Sequence, residues 1–458
     1  MAEPIIWLTT IVVAVVTFAR LRQYGGNGWP AVWLGVLILV PAWFNVGFRT
    51  IEFGPRFVVC YLVFGYALFR PFTGQRPNLY LADLALALLL AYMIFSEFAA
   101  RVVAPLGLLM LVMRWALPYG LGRIFFKDER DFPAALSAVC VCAPIVCLLG
   151  LFESLTEYNP IDRPLGRIHD IDPTARLGLY RANVTYSHPN AFGLAVGMML
   201  PWLLEAARWA RRGVGPKWWA FPVWFALVGI LATGSRSAQL MTLVVFWANL
   251  AYQWRASRWP LIIGGGLVLV VALAFRSEAL ELLSAYAGEK DPGANIVIIN
   301  GKEYPYTGTS HRDLLAVVYE DALKKLPTFG YGSQTTVEEL PVDKNMDTRF
   351  KSIDNHYLLF RLQHGDAANY FFLLFGILAV VQFIPVIRAD SPFSGLAATL
   401  AASSAFFLVI LRGIWLIPQL LIFWIFLLGL AGSLCTWQRR NEQPVSPGVP
   451  DPDRQTLG

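Results

Sequence analysis

Long apolar runs, each close to the thickness of a lipid bilayer's hydrocarbon core, recur along almost the whole chain and leave few folds open to it. Such a core excludes water, so a backbone crossing it must satisfy its own N–H and C=O groups, and a helix of about 20 apolar residues does so. The candidate spans lie at 5–19, 30–48, 56–70, 79–95, 103–119, 132–152, 187–206, 217–233, 236–253, 259–275, 367–387, 394–411 and 414–434. Composition agrees, with 56% hydrophobic and only 15% charged residues over 458 positions. The expected fold is an all-α polytopic membrane protein of roughly 12–13 transmembrane helices, with one large extracytoplasmic loop between the tenth and eleventh spans.

The first span begins within five residues of Met1 and has no small-residue cleavage site after it, so it reads as a retained helix. Cys60, Cys140, Cys142, Cys147 and Cys435 fall inside apolar spans without metal-ligand spacing and read as small buried residues. The net charge of +6 is spread over short inter-helix turns rather than gathered in one basic domain, which argues against nucleic acid and for positive-inside topology. Assigning the cytoplasmic side to the basic turns near 21–22, 74–77, 126–130, 208–217, 253–258 and 437–443 places two long loops, 153–186 and 276–366, together on the opposite face. The chain then divides into an N-terminal transmembrane bundle at 1–275, the large loop at 276–366, C-terminal spans at 367–435 and a proline-rich, disordered cytoplasmic tail at 436–458.

Few polar residues interrupt the spans. Arg114 reads either as a cation facing the bundle interior or as one snorkelling from the cytoplasmic end of its helix. His188-Pro189-Asn190 is a turn into the next helix, because the residue before proline avoids helical angles and proline suits a helix start. Arg181 lies in the first long loop beside the membrane, on the same side as the large loop. In "TGSRSAQL" Ser235 is placed to cap a helix whose first turn then holds Arg236. A cation there opposes the helix dipole and is readily satisfied by a shared anion; backbone N–H groups plus one guanidinium make a phosphate seat. The alternative is an interfacial arginine with its head group in water.

Within the large loop, "SEALELLSAYAGEK" reads as amphipathic and "NIVIING" as a short strand. Ser310 followed by Asp313 has capping-box spacing, with Leu315, Val318, Ala322 and Leu326 on one helical face and Arg312 in the first turn. The glycines of "LPTFGYGSQ" allow close backbone approach. Asp354 reads as the cap of a helix through 355–363 that carries His356 in its first turn and closes at Gly365. A helix N-terminus favours the neutral, basic form of a histidine, which suits general-base chemistry. His311 and His364 read as surface residues.

Taken in order, "R…PNAFG", "TGSRSA", "HRDLLAVVYEDALKKLPTFGYGSQ" and "DNHYLLFRLQHG" resemble the O-antigen ligase and polymerase family of bacterial envelope glycosyltransferases, over roughly residues 100–435. The resemblance implies transfer of a glycan from an undecaprenyl-diphosphate donor to an acceptor hydroxyl, a glycan or a lipid A core, on the periplasmic face of the inner membrane. It implies no cofactor, and neither nucleic acid nor a metal. Arg236 and Arg312 match the family's diphosphate-holding arginines, with Arg181 and Tyr357 beside them as substrate-binding candidates. Where the ligases carry His-Asn-x-Tyr-Leu, aligning Asn355, Tyr357 and Leu358 puts Asp354 in the histidine's place, and His356 falls two residues late. Register thus favours Asp354 as base, and proton affinity near neutral pH favours His356 with Asp354 capping and orienting it. Two rival classes remain: a lipid-linked sugar transporter, which needs charges along mid-membrane positions, and a non-catalytic envelope assembly protein, indifferent to loss of Arg236 or Arg312.

Overall fold

The computed structural model describes residues 2–24, 28–48, 51–69, 78–100, 105–125, 131–166, 179–254, 296–299, 301–306, 310–333, 335–342, 346–389, 391–414 and 416–442. The expected span at 259–275 and the amphipathic segment at 277–290 lie outside the described residues; of the disordered tail expected at 436–458, residues 436–442 instead continue the last helix, and only 443–458 lie outside the described residues.

The first helices in chain order are α1 (Ala2–Tyr24), α2 (Trp29–Leu39), α3 (Pro55–Phe69), α4 (Leu81–Ala99), α5 (Pro105–Ile124), α6 (Asp131–Thr156), α7 (Pro189–Arg211), α8 (Pro222–Ala232) and α9 (Arg236–Gln253). After them come α10 (Ser310–Val318), α11 (Glu320–Lys324), α12 (His356–His364), α13 (Asp366–Val381), α14 (Phe383–Arg388), α15 (Ser394–Ile410) and α16 (Pro418–Glu442). Two antiparallel hairpins join them: β1 (Val46–Phe48) pairs β2 (Ile51–Phe53) with Val46 opposite Phe53, and β3 (Ile296–Ile299) pairs β4 (Lys302–Pro305) with Val297 opposite Tyr304. The chain is therefore mostly helical, and the strand read in "NIVIING" is present.

Among the described residues, six helical stretches, α1, α4, α6, α7, α13 with α14, and α16, are long and apolar enough to cross a membrane. Pro55, Pro105, Pro189, Pro222 and Pro418 each open a helix, where the missing N–H has no intrahelical partner to lose and the fixed φ is already helical. Lipid tails are as apolar as leucine, so such helices associate through close packing and hydrogen bonds rather than by escape from water. The contact of α5 with α16 shows this: Gly122 and Gly429 face each other, and a Cβ on Gly429 would stand 3.1 Å from the Gly122 Cα. Helices α7 and α16 are buried over nearly their whole length and form the centre, where Trp202 packs on Phe125 and Phe132 and Trp424 on Phe372 and Phe407.

Three boundaries differ from the sequence reading. The span expected at 30–48 ends as a helix at Leu39: Val40 is extended at ψ 128° because Pro41 follows, and the chain turns into the β1–β2 hairpin. Arg114 stands midway along α5, which continues to Ile124, so it is not at a helix end. Glu153 belongs to the last turn of α6, so the first long loop begins after Thr156. All five cysteines are buried, as expected.

Contacts fix which helix ends share a level. Near their starts α7 and α9 touch, since a Cβ on Gly193 would lie 2.7 Å from that of Ala238, and near their ends Arg208 lies over the Tyr252 ring. Gly395, in the first turn of α15, is packed against the Arg208 guanidinium. Helix α15 therefore runs antiparallel to α7 and α9, and its C-terminal end lies level with their N-termini.

A second, smaller core unites Val297 and Ile299 of β3, Leu314, Leu315 and Val318 of α10, and Tyr319, Ala322, Phe350, Leu358 and Leu362. The helix read from Ser310 breaks at Tyr319, whose hydroxyl donates to the Phe350 carbonyl at 2.9 Å. Ser310 is the first helical residue rather than the cap, and its hydroxyl donates back to the Pro305 carbonyl at 3.1 Å. Gly330 and Gly332 take positive φ values of 76° and 94°, and the close backbone approach read for these glycines is present, since a Cβ on Gly330 would stand 2.4 Å from the Gln363 carbonyl carbon. They bring Tyr331 N–H to the Leu362 carbonyl (2.8 Å) and Gly332 N–H to that of Gln363 (2.9 Å).

Candidate functional site

At the level shared by the starts of α7 and α9 and the end of α15, two groups of polar residues gather. The first surrounds the turn between α8 and α9. Gly234, at φ 56°, makes the reversal, Thr233 Oγ accepts from Ser235 N–H at 3.1 Å, and Ser235 caps α9 by accepting from Ala238 N–H at 3.4 Å, as its position in the sequence implied. Arg236 is the first residue of α9 and half-buried. Arg181 is buried here: its Nε donates to the Thr233 carbonyl at 3.2 Å and its Nη2 to Asn190 Oδ1 at 2.8 Å. His188 caps α7 through Nδ1, which accepts from Asn190 N–H at 3.1 Å. Arg181 thus ties the α7 start to the turn that presents Arg236, rather than lying solvated on a loop.

The second group surrounds the turn between α15 and α16. His356 N–H donates to the carbonyls of Leu411 (2.9 Å) and Ile414 (3.0 Å), and Tyr357 Oη donates to the Leu408 carbonyl at 2.6 Å. The Arg312 guanidinium lies against the same turn, with its Cζ 3.2 Å from where a Cβ on Gly413 would stand. Arg312 and the start of α12 therefore meet on one short piece of backbone. Asp354 and Arg312 also both act on the charge of His311, the carboxylate raising its proton affinity and the guanidinium, with Arg349, lowering it.

Three expectations are corrected here. Asn355, not Asp354, caps α12, its Oδ1 accepting from Leu358 N–H at 3.1 Å. Asp354 is left half-buried at the surface of the turn, where it accepts from Ser352 Oγ at 3.0 Å. His311 is buried rather than superficial, stacked on Phe350 with ring centroids 5.2 Å apart at 9°, and burial holds its proton affinity down. His364 is buried too, its Nδ1 2.6 Å from Ser96 Oγ, and burial lowers its pKa to about 4.

His356 is in the first turn of α12 as expected, but its ring is enclosed between Phe360 (5.3 Å) and Phe372 (5.1 Å). Burial, with a smaller contribution from His364, lowers its pKa to about 3, so the imidazole stays neutral at ordinary pH. The expected neutral form is present, but desolvation rather than the helix end is its main cause. Its Nε2 is buried among aromatic rings without a hydrogen-bond partner, whereas Asp354 is half-buried.

Sequence reasoning passed over the residues that join these groups. Glu97 Oε1 accepts from Ser333 N–H at 2.8 Å, and Tyr92 Oη donates to the His364 carbonyl at 3.1 Å, fastening the smaller core to α4. Gln419 Nε2 donates to the Ala42 carbonyl (3.1 Å) and Ala42 N–H to that of Thr185 (2.7 Å), so the start of α16 and the loop carrying Arg181 share an anchor. No local pattern marks these pairs, which lie more than a hundred residues apart. Among the described residues no group of three or more His, Cys, Asp or Glu side chains converges as metal ligands would. The chain matches no protein-family model and no curated protein.

Proposed function

We propose that the protein is a multi-pass glycosyltransferase of the bacterial inner membrane that transfers a glycan from an undecaprenyl-diphosphate donor to an acceptor hydroxyl on the periplasmic face. In this reading the acceptor is a growing polysaccharide or a lipid A core, and the chain spans the membrane roughly 12–13 times with the 276–366 loop outside. The observation that carries it is the meeting of Arg312 and the Asp354–His356 segment on the 411–414 turn, level with the junction that holds Arg181 and Arg236. One end of the bundle thus offers three guanidinium groups for a diphosphate beside a carboxylate for a hydroxyl. The opposite end carries Arg123, Arg208, Arg211, Arg212, Arg439 and Arg440, which fits that end facing the cytoplasm.

In the reaction, the acceptor oxygen attacks the anomeric carbon of the donor glycan while Asp354 takes the hydroxyl proton. The bond from that carbon to the diphosphate oxygen breaks, and undecaprenyl diphosphate leaves with both electrons. Arg312, Arg236 and Arg181 stabilise the charge that develops on the leaving group. His356 stays neutral under the helix start and supports it by packing, and Tyr357 holds α12 to α15. The test is transfer by purified protein in nanodiscs supplied with a lipid-diphosphate glycan and a polysaccharide acceptor. Product in the wild type and none in Arg312→Ala supports the reading; equal product in both overturns it.

A further inference from the structure

Arg181 is held from both sides by consecutive residues of one helix turn. On one side Ser154 fixes Tyr180 twice, its carbonyl accepting from Tyr180 N–H at 3.1 Å and its hydroxyl donating to the Tyr180 carbonyl at 2.5 Å. On the other, Glu153 Oε2 accepts from the N–H groups of Val184 (2.8 Å) and Asn183 (3.3 Å). Its Oε1 accepts from Asn159 Nδ2 at 3.1 Å, and that same amide reaches Asn183 Oδ1 at 2.8 Å and the Val184 carbonyl at 3.1 Å. Glu153 is fully buried.

What these bonds hold is an uncommon backbone. Val184 sits at φ 49°, the left-handed region that a β-branched residue avoids because its Cβ crowds the following carbonyl. Such a conformation persists only where its surroundings enforce it. Here the Val184 N–H is held by Glu153 and its carbonyl by Asn159, itself bonded to Glu153, so the torsions between them are fixed from both sides. The result sets the direction in which the chain leaves Arg181, whose guanidinium then spans Thr233 and Asn190.

We infer that Glu153 is a positioning residue for the anion seat: by enforcing the Val184 conformation it sets where Arg181 stands, and so tunes affinity for a polyprenyl diphosphate. The inference rests on the transferase reading of Arg181. It predicts that a glycine at 184, which adopts positive φ without being held, relieves the need for Glu153.

Binding of undecaprenyl diphosphate to purified protein in nanodiscs tests it, with monodispersity and thermal unfolding checking each variant. Arg181→Ala should bind at least about tenfold more weakly than wild type, a change worth about 1.4 kcal/mol. Glu153→Ala should weaken binding to a similar degree, Glu153→Gln, which keeps a carbonyl acceptor for Val184, should stay within about threefold of wild type, and Glu153→Ala with Val184→Gly should recover most of the loss. Equal binding by wild type and Arg181→Ala overturns the diphosphate reading and this assignment with it. Weak binding by Arg181→Ala with unchanged binding by Glu153→Ala overturns the assignment alone. So does a folded double variant that binds no better than Glu153→Ala, since a merely structural carboxylate would not be rescued at Val184. If Glu153→Ala does not fold, a folded Glu153→Gln that binds as weakly as Arg181→Ala overturns it, and near-wild-type binding supports it.

Discussion

The Arg312 guanidinium packs on Gly413, and two carbonyls flanking that glycine, those of Leu411 and Ile414, accept the N–H of His356. A basic group of the smaller core and the start of α12 are thereby set against one turn between two apolar helices. The turn works as a platform because glycine leaves room for the flat guanidinium while its neighbours supply carbonyl acceptors to a helix start.

If Arg312 stabilises charge on a diphosphate leaving group, Arg312→Ala should lower the transfer rate by about 10²–10³ with expression unchanged. Arg312→Lys should recover little of it, since an ammonium lacks the planar fork. Initial rates with a lipid-linked glycan decide this, and a lysine variant near wild type would remove the bidentate role.

Asp354 and His356 separate by burial. Asp354→Asn should lose transfer by about 10²–10⁴ while unfolding at the wild-type temperature, because Asn355 rather than Asp354 caps α12. His356→Phe, whose ring suits a site between Phe360 and Phe372, should keep transfer within about tenfold and keep the backbone bonds to Leu411 and Ile414. Single-turnover rates check both, and an inactive, folded His356→Phe beside an active Asp354→Asn would return the base to His356.

Stability should fall on acidification, with a sign set by the two buried histidines of α12. Their pKa values in the fold, about 3 for His356 and about 4 for His364, lie below the usual value of about 6.5, so the unfolded chain binds protons first. Their contribution is complete above pH ~6.5 and is lost as pH falls, by about 1.4 kcal/mol per unit for each histidine, until the folded values are reached. Thermal unfolding in detergent between pH 4.5 and 7.5 should show this, and His356→Phe should make the dependence shallower. An unchanged slope in that variant would contradict the burial argument.

Topology is open to labelling because all native cysteines are buried. Glu303→Cys on β4 should react with an impermeant thiol reagent in cells whose outer membrane has been permeabilised, and Arg211→Cys at the exposed end of α7 should not. The reverse pattern would place the arginine groups in the cytoplasm.

Local chemistry was legible in the sequence because it needs only neighbours along the chain. Proline at position 189 and the other helix starts, Ser235 capping α9, the strand at 296–299 and the turn glycines 330 and 332 all follow from steric or hydrogen-bonding rules within a few residues. Apolar runs likewise announced membrane-length helices. Tertiary structure alone decided the rest, where neighbours distant in sequence control the outcome. Asn355 and Asp354 are both competent caps, and the choice between them follows from how the start of α12 docks on the 411–414 turn. His311 and His364 sit in polar sequence yet are buried, because Phe350 and Ser96 arrive from elsewhere to cover them. Glu153 looked like the edge of a loop, and its role depends on Val184, thirty-one residues away, turning its N–H back toward α6.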